Sequence, residues 1–181
     1  MRVISGIIKG KKLESLSDES LRPTTDRVKE AIFSVIQFEI ENRSFLDLFS
    51  GSGQMAIEAL SRGAKFVTLV DNSSKSIKII NNNLQRSNFT DKADVFNLDY
   101  EEFLKNNKKN FDIVFLDPPY KKGLLQKALE KVEKITNESG VIICENPVEE
   151  ELPKRVGKFY LRKSFKYGKI KTSFYRAEDN V

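Results

Sequence analysis

Apolar positions along the chain switch repeatedly between two periods. Val28, Ile32, Val35 and Ile36 recur three to four residues apart, which predicts a helix running to about Ile40. Leu21-Arg22-Pro23-Thr24-Thr25-Asp26 introduces it, with threonine caps and an early acid marking a helix start. A short apolar strand is predicted over 45–49, then the loop Ser50-Gly51-Ser52-Gly53 and a helix over 54–62 closed by Gly63. The pattern repeats as a strand over 66–70 and a helix over 73–88 carried by Ile77, Ile80 and Leu84. A brief strand over 95–98, a short helix around Phe103 and Leu104, and a nearly all-apolar strand over 111–116 follow. A helix over 124–135 and a buried strand over 140–144 complete the alternation.

Strand and helix alternating over five units predict a Rossmann-like, doubly wound α/β fold, its mostly parallel sheet covered on both faces. The last two strand candidates, 159–164 and 172–175, have only a turn near Tyr167-Gly168 between them, so they are expected as an antiparallel edge hairpin of a seven-stranded sheet. At the other end, Val3, Ile4, Ile7 and Ile8 interleave with Arg2, Lys9, Lys11 and Lys12, and Gly6 and Gly10 offer bends. A small basic β-hairpin over residues 1–13 is expected there, ahead of a core spanning 22–176. At 181 residues and without repeats, the chain reads as a single domain, large enough to bury roughly 70% of its unfolded surface.

Composition narrows the chemistry. The absence of histidine removes His-dependent hydrolases and the commonest zinc ligand, and no metal site is expected. The single cysteine forbids an internal disulfide and suits a reducing compartment. No apolar run approaches the ~20 residues that span a bilayer, and Met1-Arg2-Val3-Ile4-Ser5-Gly6 does not read as a signal peptide, so a cytoplasmic location is expected. The net charge is +5, unevenly spread: nine Lys/Arg and no acid lie between Pro153 and Arg176. Such a run is either a solvated face or a surface for a polyanion, with phosphates the obvious partner.

Two motifs carry the candidate chemistry. Gly51-x-Gly53-x-x-Ala56 lies between a strand and a helix, with Asp71 twenty residues after Gly51. Glycines there admit a ligand close to the backbone, and an acid ending the next strand can accept ribose hydroxyls. A dinucleotide would need a second half-fold and a separate substrate domain, so a mononucleoside cofactor fits better than NAD. The second motif, Asp117-Pro118-Pro119-Tyr120, ends the fourth strand of the core on the same sheet edge. Two prolines fix an extended loop that still presents carbonyl oxygens. A carboxylate, a rigid carbonyl and an aromatic plane can together hold a planar base: its exocyclic amine donates to Asp117 and Pro118 while Tyr120 stacks on the ring.

Asp47-Leu48-Phe49-Ser50-Gly51-Ser52-Gly53 followed by Asp117-Pro118-Pro119-Tyr120 resembles the class I S-adenosylmethionine-dependent amino-methyltransferases. Arg22-Pro23-Thr24-Thr25-Asp26-Arg27-Val28-Lys29-Glu30, Glu58-Ala59-Leu60-Ser61-Arg62-Gly63-Ala64 and Phe111-Asp112-Ile113-Val114-Phe115-Leu116 narrow the likeness to bacterial 16S ribosomal RNA guanine-N2 methyltransferases, over residues 2–175. The resemblance implies S-adenosyl-L-methionine as cofactor. The Gly51-Ser52-Gly53 loop would pass under its methionine and ribose with Asp47 near the methionine end, Asp71 would bind the ribose, Asp99 and Tyr100 would meet the adenine, and Phe49 and Asn72 would be further cofactor contacts. Asp117, Pro118, Pro119 and Tyr120 would hold the target amine for in-line attack on the sulfonium methyl. Arg22 and Thr24 would line the cleft, while Arg2, Lys9, Lys11, Lys163 and Lys166 would hold ribosomal RNA, free or in a small-subunit assembly particle. A monomer is expected.

Adenine-N6 and glutamine-amide methylation use related loops. DNA enzymes of that kind usually add a target-recognition domain, and the glutamine enzymes usually place Asn first in the motif. A non-enzymatic RNA-binding module would not need the glycine loop, Asp71 and Asp117 together. Cys144 ends the fifth strand, not the fourth where a cytosine-C5 nucleophile would stand, and reads as a core residue.

Overall fold

A computed structural model describes residues 1–16, 25–120 and 123–178. Eight strands form one sheet: β1 (Ser44–Asp47), β2 (Phe66–Asp71), β3 (Ala93–Asn97), β4 (Phe111–Leu116), β5 (Thr136–Pro147), β6 (Arg155–Val156), β7 (Phe159–Tyr167) and β8 (Ile170–Ala177). Their order is β3-β2-β1-β4-β5-β8-β7-β6. The first five are parallel, and β8, β7 and β6 are added antiparallel at one side. The doubly wound architecture and the edge hairpin are as the alternation predicts. The sheet has one strand more than expected, because Arg155–Val156 pairs with Tyr160 and Phe159. Two residues are too few to show an alternating pattern.

Helices α1 (Asp26–Val35), α2 (Gln54–Ser61), α3 (Ser74–Arg86), α4 (Tyr100–Asn106) and α5 (Leu124–Val132) cover the sheet. Strand alternation feeds two cores. Phe45, Val67, Leu69, Ile113, Phe115, Val141, Ile143 and Phe174 pack on one face with residues of α1, α2 and α3. Leu46, Val70, Val114, Leu116, Ile142, Cys144 and Tyr175 pack on the other with α4 and α5. That two-sided burial is why the central strands read as continuous apolar runs. Helix α1 is capped by the Thr25 hydroxyl, which accepts the Val28 N–H at 3.3 Å. It stops at Val35, short of Ile40, and a turn from Ile36 to Glu39 leads into β1.

The N-terminal segment is a looser hairpin than expected. A single antiparallel bridge, Arg2 to Lys12, closes it. Backbone bonds such as Val3 N–H to the Lys11 carbonyl at 2.9 Å hold its two arms together. The bend between them bonds to α2, where the buried Glu58 carboxylate accepts the N–H groups of Ile4 at 2.7 Å and Ser5 at 3.0 Å. Ser61, the last residue of α2, takes Ile7 N–H at its carbonyl and Ile8 N–H at its hydroxyl. No helix among the described residues is long and apolar enough to cross a membrane.

Candidate active site

The sheet order reverses between β1 and β4, the switch point where open α/β sheets bind ligands at the carboxyl ends of their strands. A cavity of about 660 Å³ opens there. Of the residues singled out in the sequence, Asp47, Phe49, Gly51, Ser52, Asp71, Asn72, Asp99, Tyr100, Asp117, Pro118, Pro119 and Tyr120 all line it. Three acids that follow one another along the edge, from the ends of β1, β2 and β4, therefore face one space.

The loop after β1 is wired from beneath. Ser50 Oγ donates to the Asp47 carbonyl at 2.8 Å and accepts the Val70 N–H at 3.0 Å, tying the loop to the neighbouring strand. Gly51 has φ 54° and Gly53 φ 76°, the left-handed region where a Cβ is costly. The Gly51 N–H donates to Asp71 Oδ2 at 2.8 Å, and the Ser73 N–H donates to Asp71 Oδ1 at 2.9 Å. Gly53 differs from its expected place. It lies outside the cavity lining, packed so that a Cβ would come within 3.1 Å of Leu69. Its role is to bring the start of α2 close to the sheet.

Asp47 is 1% exposed. Burial, reinforced by the Asp71 carboxylate, raises its pKa to about 7, against the opposing hydrogen bonds from the Phe49 and Ala56 amides. Ala56 belongs to the first turn of α2, so Asp47 acts as a cap for a helix whose own N-cap is glycine. Asp47 Oδ1 has no hydrogen-bond partner among the described residues. A buried carboxylate oxygen without a donor at a cavity wall fits a ligand bearing a cationic amine.

At the far wall the Asp99 carboxylate caps α4, accepting the Glu101 N–H at 2.8 Å. Tyr100 is buried, its ring centroid 5.4 Å from that of Phe49. Its hydroxyl donates to Glu101, and burial pushes its pKa up to about 12, so it stays a neutral, largely apolar wall. On the β4 side Asp117 is half-buried, Pro118 buried, and Tyr120 56% exposed at the mouth.

Sequence reasoning missed a third wall. Met1, Ser15 and Leu16 of the N-terminal segment also line the cavity. Asn83 of α3, 0% exposed, ties the segment down at Glu14, next to Ser15: its amide donates to the carbonyls of Glu14 and Ser52, both at 3.0 Å, and accepts the Glu14 N–H at 2.8 Å. The Lys29 ammonium, equally buried, donates to the Arg2 carbonyl at 2.6 Å and lies 3.7 Å from Glu58. Burial lowers its pKa, with Glu58 and Asp26 opposing. In the sequence Lys29 and Asn83 read as ordinary polar positions of amphipathic helices, and neither marks this wall.

The substrate candidates scatter. Arg2 pairs with Asp26 at 3.4 Å beside the cavity. Lys9 belongs to the loop held by Ser61 at the far end of α2, about 12 Å along the helix axis from the glycine loop, so the cavity does not gather it. Lys11 is exposed on the same loop. Lys163 and Lys166 lie on β7, away from the cavity lining. Arg22 and Thr24 lie outside the described residues. Cys144 is buried and its thiol pKa is pushed up by burial, consistent with a packing role.

The Rossmann-like fold and the cavity at its switch point are those of a methyltransferase. The profile of a family described as Conserved hypothetical protein 95 matches residues 1–176. The Bacillus subtilis protein YlbH is 39% identical over 97% of this chain and 98% of its own length. The ribosomal RNA small subunit methyltransferase D of Escherichia coli is 34% identical over 98% of this chain and 90% of its own. The solved structure of the Escherichia coli protein yhhF, 31% identical, superposes with a TM-score of 0.89 over 98% of both chains. The chain belongs to this family of methyltransferases.

Proposed function

We propose that this protein methylates the exocyclic N2 amine of a guanine in small-subunit ribosomal RNA. One observation carries the reading: the Asp117-Pro118-Pro119-Tyr120 loop forms the rim of the cavity whose floor holds Asp47 and Asp71. An amine acceptor and a nucleoside-binding acid thus share one space. S-adenosylmethionine supplies an electrophilic methyl group on a sulfonium sulfur. Asp47 Oδ1 takes the amine of the cofactor's methionine moiety, Asp71 takes its ribose, and Phe49 and Tyr100, with Leu98 of the same cavity lining, bound the adenine.

The guanine amine is a poor nucleophile because its lone pair is delocalised into the ring. Asp117 and the Pro118 carbonyl accept its two N–H bonds, which favours a pyramidal nitrogen, and Asp117 is placed to accept the proton released from it. Tyr120, exposed at the mouth, stacks on the base once it leaves its helix. Fixing the two reactants is worth several kcal/mol of barrier, so positioning supplies much of the acceleration. The names of relatives such as methyltransferase D of Escherichia coli support ribosomal RNA as the substrate, and the guanine amine is the finer part of the proposal. We place its action in the cytoplasm, as a monomer, on RNA or on a particle in assembly.

Mass-spectrometric mapping of methylated nucleosides in small-subunit ribosomal RNA, from cells with and without this protein, tests the reading. Loss of one N2-methylguanosine is the expected result. A changed N6-methyladenosine instead would move the target to the adenine amine.

A further inference from the structure

Five of the nine cations between Pro153 and Arg176 are spent on partners inside the protein. Arg155 donates to the Gly157 carbonyl, Lys158 pairs with Glu138, Arg162 reaches the carbonyls of Ala177 and Glu178, Lys171 donates to the Glu150 carbonyl, and Arg176 pairs with Glu39. The side-chain ammonium groups of Lys154, Lys163, Lys166 and Lys169 have no hydrogen-bond or ion-pair partner among the described residues. Three of these four fall on the second half of β7 and its turn into β8.

The β7–β8 ladder assigns them to faces. Lys163 lies opposite Phe174, Phe165 opposite Thr172, and Tyr167 opposite Ile170. Phe174 belongs to the core beneath α1, so Lys163, Phe165 and Tyr167 stand in one row on that side of the sheet. Lys166, opposite Lys171, stands on the other side. Phe165 packs edge-on against Phe174 at 6.0 Å and keeps 37% of its surface exposed. Lysines alone on an edge strand serve to block pairing with another chain. An exposed phenylalanine set among them works against that purpose and asks for a ligand.

The row also lies level with the catalytic loop. Tyr167 pairs with Ile170, and Ile170 with Pro147 at the end of β5. β5 in turn lies beside β4, whose last residue precedes Asp117. Three interstrand steps, about 14 Å, separate β4 from β7 along the sheet edge.

We propose that Lys163, Phe165 and Lys169 form a second RNA contact, gripping the strand a few nucleotides from the base held at Asp117 and Tyr120. Phe165 stacks on an unpaired base there, and the two lysines meet flanking phosphates. The inference rests on the ribosomal RNA reading above and adds to it a place where the strand leaves the active site.

The chain contains no tryptophan, so Phe165→Trp places a single fluorophore on the platform. Small-subunit ribosomal RNA should quench it, and that variant should bind RNA as well as wild type. Phe165→Ala should weaken RNA binding about 5- to 100-fold with the salt dependence unchanged. Lys163→Ala should flatten the salt slope by about one unit, and Lys166→Ala clearly less. Affinity for S-adenosylhomocysteine should hold in all four variants, which shows that they fold. Wild-type RNA affinity in Phe165→Ala, or an indole unquenched by RNA that responds to phosphatidylserine vesicles, overturns the proposal. Failure of the wild-type protein to bind ribosomal RNA at all overturns the functional reading itself, a separate outcome.

Discussion

The Asp71 carboxylate accepts the Gly51 N–H at 2.8 Å, joining the end of β2 to the glycine loop across twenty residues of sequence. Its other oxygen accepts the Ser73 N–H, so one side chain fixes both the loop and the entrance to α3. A carboxylate offers about four acceptor sites, and two remain for a ribose. Asp71→Ala should therefore lose ligand contacts and loop geometry together, weakening S-adenosylhomocysteine binding by roughly 1–3 kcal/mol. Asp71→Asn, with one acceptor oxygen, should fall between. Calorimetry that finds unchanged affinity in a folded Asp71→Ala variant would remove the residue from the site.

Asn83 is the corresponding tie for the N-terminal wall. Asp at this position keeps the shape and can accept from Glu14 N–H, but cannot donate to the carbonyls of Ser52 and Glu14. Two carbonyls would then face a buried carboxylate, each unsatisfied group costing about 1–3 kcal/mol. Asn83→Asp should lower thermal stability more than Asn83→Ala, and both should reduce S-adenosylhomocysteine affinity because Ser15 and Leu16 lose the anchor at Glu14. Full affinity in a destabilised Asn83→Ala would show that the wall does not touch the ligand.

The raised pKa of Asp47 gives binding a pH dependence. A carboxyl held at about 7 is mostly protonated at pH 6 and mostly ionised at pH 8. If its free oxygen receives a cationic amine, affinity for S-adenosylhomocysteine should rise by up to about tenfold over that interval, with proton release on binding. The sign for folding is opposite. The unfolded carboxyl ionises first, so this group's contribution to stability is fullest below its ordinary pKa and is lost as pH rises toward 7. Titrations at pH 6, 7 and 8 in two buffers of different ionisation enthalpy would read the proton. Asp47→Asn should flatten the profile, and a flat wild-type profile would detach Asp47 from the amine.

The parts of this site that lie at strand ends were readable in the sequence, and the parts that depend on packing were not. Asp47, Asp71 and Asp117 each end an apolar run at the carboxyl edge, so period and topology alone brought them together. Gly53 looked like a ligand contact because its spacing matches Gly51, yet close packing against Leu69 explains it. Lys9 and Lys11 stand out in the sequence only as cations of a basic hairpin that could hold RNA. The buried Glu58 and Ser61 draw their loop down along α2 instead, and a pattern of charges carries no record of that. Asn83 shows the same limit: a polar residue among helix surface positions reveals neither its burial nor its three hydrogen bonds to Glu14 and Ser52.

The last prediction separates binding from chemistry. Asp117 stands on the β4 side of the cavity, whereas Asp47, Asp71 and the glycine loop occupy the β1–β2 side. Removing Asp117 should leave the contacts to S-adenosylmethionine largely intact and take away the acceptor that orients the amine. Asp117→Ala is expected to retain S-adenosylhomocysteine affinity and thermal stability while methyl transfer falls about 10²-fold or more. Tyr120→Ala should act differently, weakening RNA capture by ~1–3 kcal/mol, because its ring is a platform at the mouth and not an acceptor. Steady-state rates would mix these effects with product release. Single-turnover transfer at saturating cofactor and RNA isolates the chemical step, and there Tyr120→Ala should recover much of its rate while Asp117→Ala should not. A near-wild-type single-turnover rate for Asp117→Ala would leave the amine without its proposed acceptor and require another group to aim it.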